Sequence, residues 1–262
     1  MKRFIRKGVL AFALALILIG GALSLIAWGL GAETSLAFGG GWGFRPSTAR
    51  EINLTFSDDF ARIDVNVGVA NVTVQEGAAF SATGRLPDRV DISTDNNTLV
   101  ITEASVRGLR FNINFGFSRQ SYYLVLTVPR GTTLDMLSLE TGVGWIEVRD
   151  IEAARADISS GVGNVHVRNV EFGHTLLDSG VGNVYADGIF TGRTDMNSGT
   201  GNVSLTLPGA REDYAYRIQT GVGNTTIDGA RATGGSTRSH ANPVADLHLS
   251  SGVGNVRVDF RG

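Results

Sequence analysis

A short phrase recurs through this chain: Ser or Thr, then Gly-Val-Gly-Asn, then an alternating apolar run. Its clearest copy is Ser160-Gly161-Val162-Gly163-Asn164-Val165, and others begin at Thr141, Ser179, Ser198, Thr220 and Ser251. A weaker copy stands at Val67-Gly68-Val69-Ala70-Asn71-Val72. The first glycines of the clear copies, Gly142, Gly161, Gly180, Gly199, Gly221 and Gly252, lie 19, 19, 19, 22 and 31 residues apart. A period of this size marks stacked supersecondary units, each of which needs its neighbours to bury its apolar face.

Aligning the copies exposes columns. Leu139, Ile158, Leu177, Met196, Ile218 and Leu249 stand three residues before the first glycine, and Glu140, Ser159, Asp178, Asn197, Gln219 and Ser250 follow them. Successive strand residues point to opposite faces, so the first column lines a core and the second faces water. After the phrase come Ile146, Val165, Val184, Val203, Thr225 and Val256, and two residues later Val148, Val167, Ala186, Leu205, Ile227 and Val258. Between them stand Glu147, His166, Tyr185, Ser204, Thr226 and Arg257. Inward parity switches across Gly-Val-Gly-Asn, as it does at a corner between two sheets.

An antiparallel meander with Gly-containing loops is one way to hold such units. A parallel β-solenoid is the other, with equivalent residues stacked about 4.8 Å apart. The solenoid is favoured, because a turn stacked on its own copy explains why the turn sequence repeats, whereas a meander loop faces solvent. The expected fold is all-β: a right-handed parallel β-solenoid of about 19-residue coils, its hand taken from the general rule for parallel crossovers. Glycine supplies positive φ at the corner. Asn164, Asn183, Asn202, Asn224 and Asn255 form an amide ladder. Trp145 replaces Asn in the first clear copy and is expected to cap the ladder's lower end. The long last interval leaves an insertion at Gly229–Ala245, with loop chemistry in Gly234–Pro243, which is the best place for a specific contact. The final copy carries Arg257, Asp259 and Arg261, charges expected to guard an open strand edge.

Upstream, Lys2, Arg3, Arg6 and Lys7 precede an uncharged run from Gly8 to Ala32. That run is long enough for a helix to cross about 30 Å of hydrocarbon. A cleaved signal sequence is the rival, but hydrophobic regions of signals run only about 7–15 residues. The positive-inside rule puts the N-terminus in the cytoplasm and the remainder outside. The expected organisation is a basic tail over 1–7, a transmembrane helix (or long signal sequence) over 8–32 and a linker over 33–49. An irregular β cap and coils then fill 50–135, and the regular array 136–262. Within the linker, Phe38, Trp42 and Phe44 suit a membrane interface. Within the cap, Asp95-Asn96-Asn97 predicts a hairpin turn, because Asn tolerates positive φ. Leu109, Phe111, Ile113, Phe115 and Phe117 alternate as the apolar face of a strand, which fits core better than an exposed contact edge.

Several kinds of chemistry are excluded. The chain has no Cys, so no disulfide framework and no thiolate metal site. From Ser47 onward it carries 18 Arg against 24 acidic residues, a net charge of −6, which argues against nucleic acid as a partner. The Gly-x-Gly phrases lack the Lys-Ser/Thr of a P-loop. They also lack the Asp of calcium-binding nonapeptide repeats. His166, His174, His240 and His248 show no ligand spacing. No Gly-x-Ser-x-Gly elbow occurs. No catalytic, cofactor-binding or metal residue is therefore assigned, and no cofactor is expected.

The anchor, the strand ending Val-Pro-Arg-Gly at Val128–Gly131 and the serial Ser/Thr-Gly-Val-Gly-Asn-Val phrases resemble the bacterial putative-adhesin family of β-strand-repeat proteins. The resemblance runs from about Ile52 to the C-terminus. It implies an envelope-exposed β-solenoid with no established enzymatic activity, among relatives that include proteins linked to envelope stress responses. The expectation is a single-pass cell-membrane protein with an extracytoplasmic β-domain. It acts as a non-enzymatic binding, adhesion or scaffold module, with an envelope protein or glycan as partner and its oligomeric state open. The outward columns Glu147/His166/Tyr185 and Glu140/Ser159/Asp178 are its candidate faces. The alternatives are a polysaccharide-acting β-helix enzyme and a structural protein that self-assembles by stacking coil ends.

Overall fold

The 19-residue period becomes a hydrogen-bond register. Ile146 pairs with Val165, Val165 with Val184 and Val184 with Val203, every pairing parallel. The computed structural model describes residues 49–103, 121–232 and 235–262. The expected tail (1–7), membrane helix (8–32), residues 33–48 of the linker and the apolar run Leu109–Phe117 lie outside the described residues.

The described chain is almost all strand. It runs through β1 (Ala49–Thr55), β2 (Arg62–Val69), β3 (Asn71–Gly77), β4 (Ser81–Pro87), β5 (Val90–Asp95) and β6 (Thr98–Glu103). After residue 120 come β7 (Tyr123–Pro129), β8 (Thr133–Leu134), β9 (Met136–Val143), β10 (Ile146–Arg149), β11 (Glu152–Val162) and β12 (Val165–Val181). Next are β13 (Val184–Phe190), β14 (Arg193–Thr200), β15 (Val203–Pro208), β16 (Ala215–Val222) and β17 (Thr225–Ile227). The short β18 (Ala230–Ala232) and β19 (Ser236–Arg238) precede β20 (Asp246–Val253) and β21 (Val256–Arg261). Each phrase joins a strand before the corner to one after it.

Both inward columns behave as their spacing predicts. Leu139, Ile158, Leu177, Met196, Leu249 and Ile218 are buried on one side of the corner, and Ile146, Val165, Val184, Val203 and Val256 on the other. Burying such a side chain contributes about 1.5–3 kcal/mol, so the two columns are the main source of cohesion between coils. A short third side closes the coil. There Leu134, Ala153, Phe172 and Phe190 are buried, and the Phe172 and Phe190 rings meet edge to face.

Rung order departs from chain order at both ends. β20 lies between β14 and β16, and β21 between β15 and β17. The last copy of the phrase therefore sits inside the stack, and the copy at Gly221 lies beyond it. At the other end β2 lies between β6 and β9, and β3 between β7 and β10. The weak copy at Val67 is a full rung of the corner. Among the described residues the corner thus has seven rungs, in spatial order those of Gly68, Gly142, Gly161, Gly180, Gly199, Gly252 and Gly221.

This corrects, for Arg257, the expectation that Arg257, Asp259 and Arg261 guard an open edge. Arg257 stands between Ser204 and Thr226, whereas Asp259 and Arg261 lie past the end of β17 and pair with β15 alone, with Arg257 meeting Asp259 at 2.5 Å and Arg261 meeting Asp187 at 2.8 Å. The stack ends instead in antiparallel strands. β18 pairs with β17 and β19 with β16 at one end; β5 pairs with β6, β4 with β7 and β1 with β4 at the other. Reversing direction takes the outermost strands out of the parallel stacking register, which blunts an edge that would template further coils. The insertion at 229–245 supplies β18 and β19 before the chain returns to insert its last coil. The expected hairpin at Asn96 and Asn97 is present, both residues at positive φ (44° and 65°), as a two-residue turn between β5 and β6 requires.

Within the phrase each position has its own duty. A Cβ on Gly161 would lie 2.6 Å from the Gly142 carbonyl oxygen of the coil beneath, so the first glycine permits close approach rather than a special φ. Positive φ belongs to the second glycine: Gly163 has φ 155°, and a Cβ there would overlap the Gly144 carbonyl. Replacing Gly163 by Val combines overpacking with a strained backbone and should cost about 3 kcal/mol or more. Thermal unfolding of the variant checks this, and an unchanged Tm would refute the stacking account of the phrase.

Candidate binding surface

The corner is stitched by two side-chain ladders. Ser160 donates its hydroxyl to the Gly144 carbonyl at 2.8 Å, Ser179 to Gly163 and Ser198 to Gly182, each at the same distance. Ser251 continues to Gly201 and Thr220 to Gly254, and Thr141 begins the series on Ala70. Each such bond contributes about 1 kcal/mol net, and the hydroxyl leaves no polar group unmatched against the core. Sequence reading grouped these Ser/Thr with the turn and missed their inward aim. The signal was there in their parity, two residues after a core column.

The predicted Asn ladder is also present. The Asn183 backbone N–H and Nδ2 both donate to Asn164 Oδ1, and Asn202 bonds Asn183 in the same way. In spatial order the series goes on to Asn255 and then Asn224, whose Oδ1 accepts from Arg231 on the antiparallel cap. Trp145 does not end the ladder below, as expected from sequence. Its backbone N–H donates to Asn71 Oδ1 at 3.2 Å, so the column resumes beneath it. Trp145 is an interruption, and its ring is 41% exposed.

The column after the corner reads, in spatial order, Thr73, Glu147, His166, Tyr185, Ser204, Arg257 and Thr226. The His166 and Tyr185 rings meet edge to face at 5.6 Å. Glu147 is bracketed by Arg168 and Arg149. Burial lowers the His166 pKa below its ordinary value, Arg168 lowers it further, and Glu147 opposes both. The column before the corner joins Asn66 to Glu140 and Asn197 to Asp178, with Ser250 donating to Asn197. Both candidate columns are therefore continuous strips of side chains, but they lie on opposite sides of the corner and form no common cleft. Farther along the same face, His248 lies between Asp195 (3.6 Å) and Asp246 (3.4 Å), with Arg193 beside it. Among the described residues no group of three His, Asp or Glu is arranged to hold a metal.

The phrase's valine was not recognised from sequence as a surface residue. Val69, Val143, Val162, Val181, Val253 and Val222 are 40–68% exposed, and Thr200 fills the seventh position. They form an apolar ridge along the corner. In the expected contact loop, Val244 is 46% exposed beside the capping strands.

Two predictions follow from these columns. Trp145→Asn would let one amide bridge Asn71 and Asn164, a gain of about 0.5–1.5 kcal/mol, but it removes an indole more than half buried, a loss of about 1.5–3 kcal/mol, so the variant should show a lower Tm. The second concerns Asp178, whose pKa is raised first by burial and also by Asp195, against the bond from Asn197. A carboxyl with a raised folded pKa binds its proton more tightly when folded, so its charge costs stability at neutral pH. That cost falls as pH drops through the raised value. Asp178→Asn should therefore be more stable than the parent at pH 7, by a margin that shrinks on acidification. A margin independent of pH would contradict the assignment.

Comparison with known proteins agrees with the fold. The family model described as Toastrack DUF4097 matches residues 60–207. No curated protein matches the chain. The structure of a putative cell adhesion protein from Clostridium sporogenes ATCC 15579 is similar, with a TM-score of 0.53 and 12% identity over 82% of this chain and 100% of that one. At that identity the likeness is one of fold. A putative adhesin from Bacteroides fragilis NCTC 9343 covers 82% of this chain and 100% of its own at 15% identity and a TM-score of 0.33. A putative lipid binding protein from Parabacteroides distasonis ATCC 8503 covers 82% and 97% at 12% identity and a TM-score of 0.30.

Proposed function

The chain belongs to the Toastrack DUF4097 family, and from that premise we propose that it is a non-enzymatic binding or scaffold module held at the cell membrane by residues 8–32, its β-domain outside. The observation that carries the reading is the pair of outward columns, Glu147/His166/Tyr185 and Glu140/Ser159/Asp178. Each repeats a polar or aromatic contact at the about 4.8 Å spacing of stacked strands. A surface of this kind suits an extended partner, an envelope protein or glycan, because each column runs along successive stacked strands. The basic start before an uncharged run supports the anchor and its orientation. The description of the Clostridium sporogenes protein as a cell adhesion protein adds support for binding over catalysis. A right-handed coil, following the rule for parallel crossovers, and a part in the envelope stress response complete the proposal.

The test uses the absence of Cys from the chain. Val244→Cys in the full-length protein should react with a membrane-impermeant maleimide on intact cells; protection until the cells are lysed overturns the outside placement. For the binding arm, Tyr185→Ala combined with Glu147→Ala should weaken retention on isolated envelopes about tenfold, the effect of losing about 1.4 kcal/mol at an aromatic anchor. Equal retention at unchanged Tm would remove this column from the binding face.

A further inference from the structure

The coil latest in sequence does not lie at an end of the stack. Its first strand, β20, is held between β14 and β16, and its second, β21, is held between β15 and β17 as far as Val258. Both flanking coils precede it in the chain. They form a slot one rung high, and residues 246–261 fill it. We propose that the slot also accepts this segment from a second copy of the chain, so that two copies exchange coils as they assemble.

The bridge across the slot belongs to the flanking coils. From β10 to β11 and from β13 to β14 the chain steps to the next coil through two residues, 150–151 and 191–192. From β15 to β16 it uses six, 209–214, and Gly199 and Gly221 accordingly lie 22 residues apart rather than 19. The extra length spans two strand spacings, about 9.6 Å, instead of one. A 3-10 turn at Arg211–Asp213 shapes the bridge, and the Tyr214 hydroxyl donates to the Pro208 carbonyl at 2.7 Å. This bridge joins the two coils whichever copy's segment lies between them.

The structure shows what the slot recognises. On one border Ser251 donates its hydroxyl to the Gly201 carbonyl at 2.8 Å, and the Asn255 N–H donates to Asn202 Oδ1 at 2.9 Å. On the other, Thr220 donates to the Gly254 carbonyl at 2.7 Å and the Asn224 N–H to Asn255 Oδ1 at 2.9 Å. Leu247, Leu249, Val256 and Val258 are buried in the core, and the Phe260 ring lies 5.3 Å from that of Tyr214. An occupant therefore needs the phrase, both apolar columns and the aromatic after them, all in one register. Residues 246–261 of another copy meet each of these partners by identity. Exchange remakes every contact and alters only the hinge.

The hinge is residues 239–245. Ser239, His240, Ala241 and Asn242 are exposed, and the Val244 N–H donates to the Asp213 carbonyl at 2.9 Å. It carries the chain from β19, on the outer edge of β16, to β20, on the inner edge. Both borders of the slot are synthesised before the segment that fills it, so a neighbouring copy competes for the opening. Repeat proteins exchange elements at this stage of folding.

The experiment uses the full chain, whose lack of Cys lets introduced cysteines report contact without background. Ser204 and Gln219 border the slot, and their partners on the inserted coil are Arg257 and Ser250. Chains carrying Ser204→Cys and chains carrying Arg257→Cys should form a disulfide-linked dimer under mild oxidation when co-expressed. Gln219→Cys with Ser250→Cys should do the same at the other border. Each variant alone should give no dimer, and neither should His166→Cys with Arg257→Cys, which stand three rungs apart in one column. Chains expressed separately and mixed after solubilisation should stay unlinked, because each slot is already filled. Removing His240-Ala241-Asn242 from both chains should raise the linked fraction, since a shorter hinge returns less readily to its own slot. Ser204→Cys and Arg257→Cys in one chain check that the substitutions leave the coil docked. Complete linkage of that chain as a monomer, with no link between co-expressed chains, overturns the proposal. Equal linkage of the His166→Cys pair, of a single variant alone or of chains mixed after folding reports colliding faces and overturns it as well.

Discussion

Everything in this structure depends on how closely one coil's corner can lie on the next. At Gly161 and Gly163 the backbone approaches the carbonyls beneath so nearly that no side chain fits between them. That approach brings Ser160 within reach of the Gly144 carbonyl and sets successive Asn amides in bonding distance. The apolar columns supply most of the cohesion, but by themselves they would tolerate slippage of one coil against another. The corner ladders fix the register, because a shift of one residue would leave a hydroxyl or an amide unmatched.

A repeat this uniform has no built-in end, and the ends are where the sequence stops being regular. Ala70 replaces the second glycine in the lowest rung of the corner, without the positive φ of its counterparts. Beside it Glu103 accepts a hydrogen bond from the Gly68 N–H. At the far end Arg231 closes the Asn ladder, and strands of opposite direction cover the outermost rungs. Polar capping and reversal of strand direction thus answer the same problem, the unpaired edge of a stack whose every interior rung is paired.

Function reads differently from each side of the corner. The columns before and after it differ from rung to rung. The ridge between them is almost constant, six valines and one threonine. That division follows from geometry: residues tied to the turn keep its repeat, whereas outward strand positions are free to vary without disturbing the core.

Much was legible in the sequence. The period, the inward columns, the parity switch and the Asn ladder all follow from alternation and spacing, which are local properties of a strand. So does the Asn96-Asn97 turn. The spatial order of the rungs was not legible, because a copy of the phrase fits on any other copy, and only the pairing of β20 between β14 and β16 places Gly252 beneath Gly221. The duty of Trp145, the interior position of Arg257, and the exposure of the valines followed from that placement and from the shape of the corner. Sequence determined what each rung is made of. Tertiary structure decided which rungs meet, because identical rungs carry no information about their order.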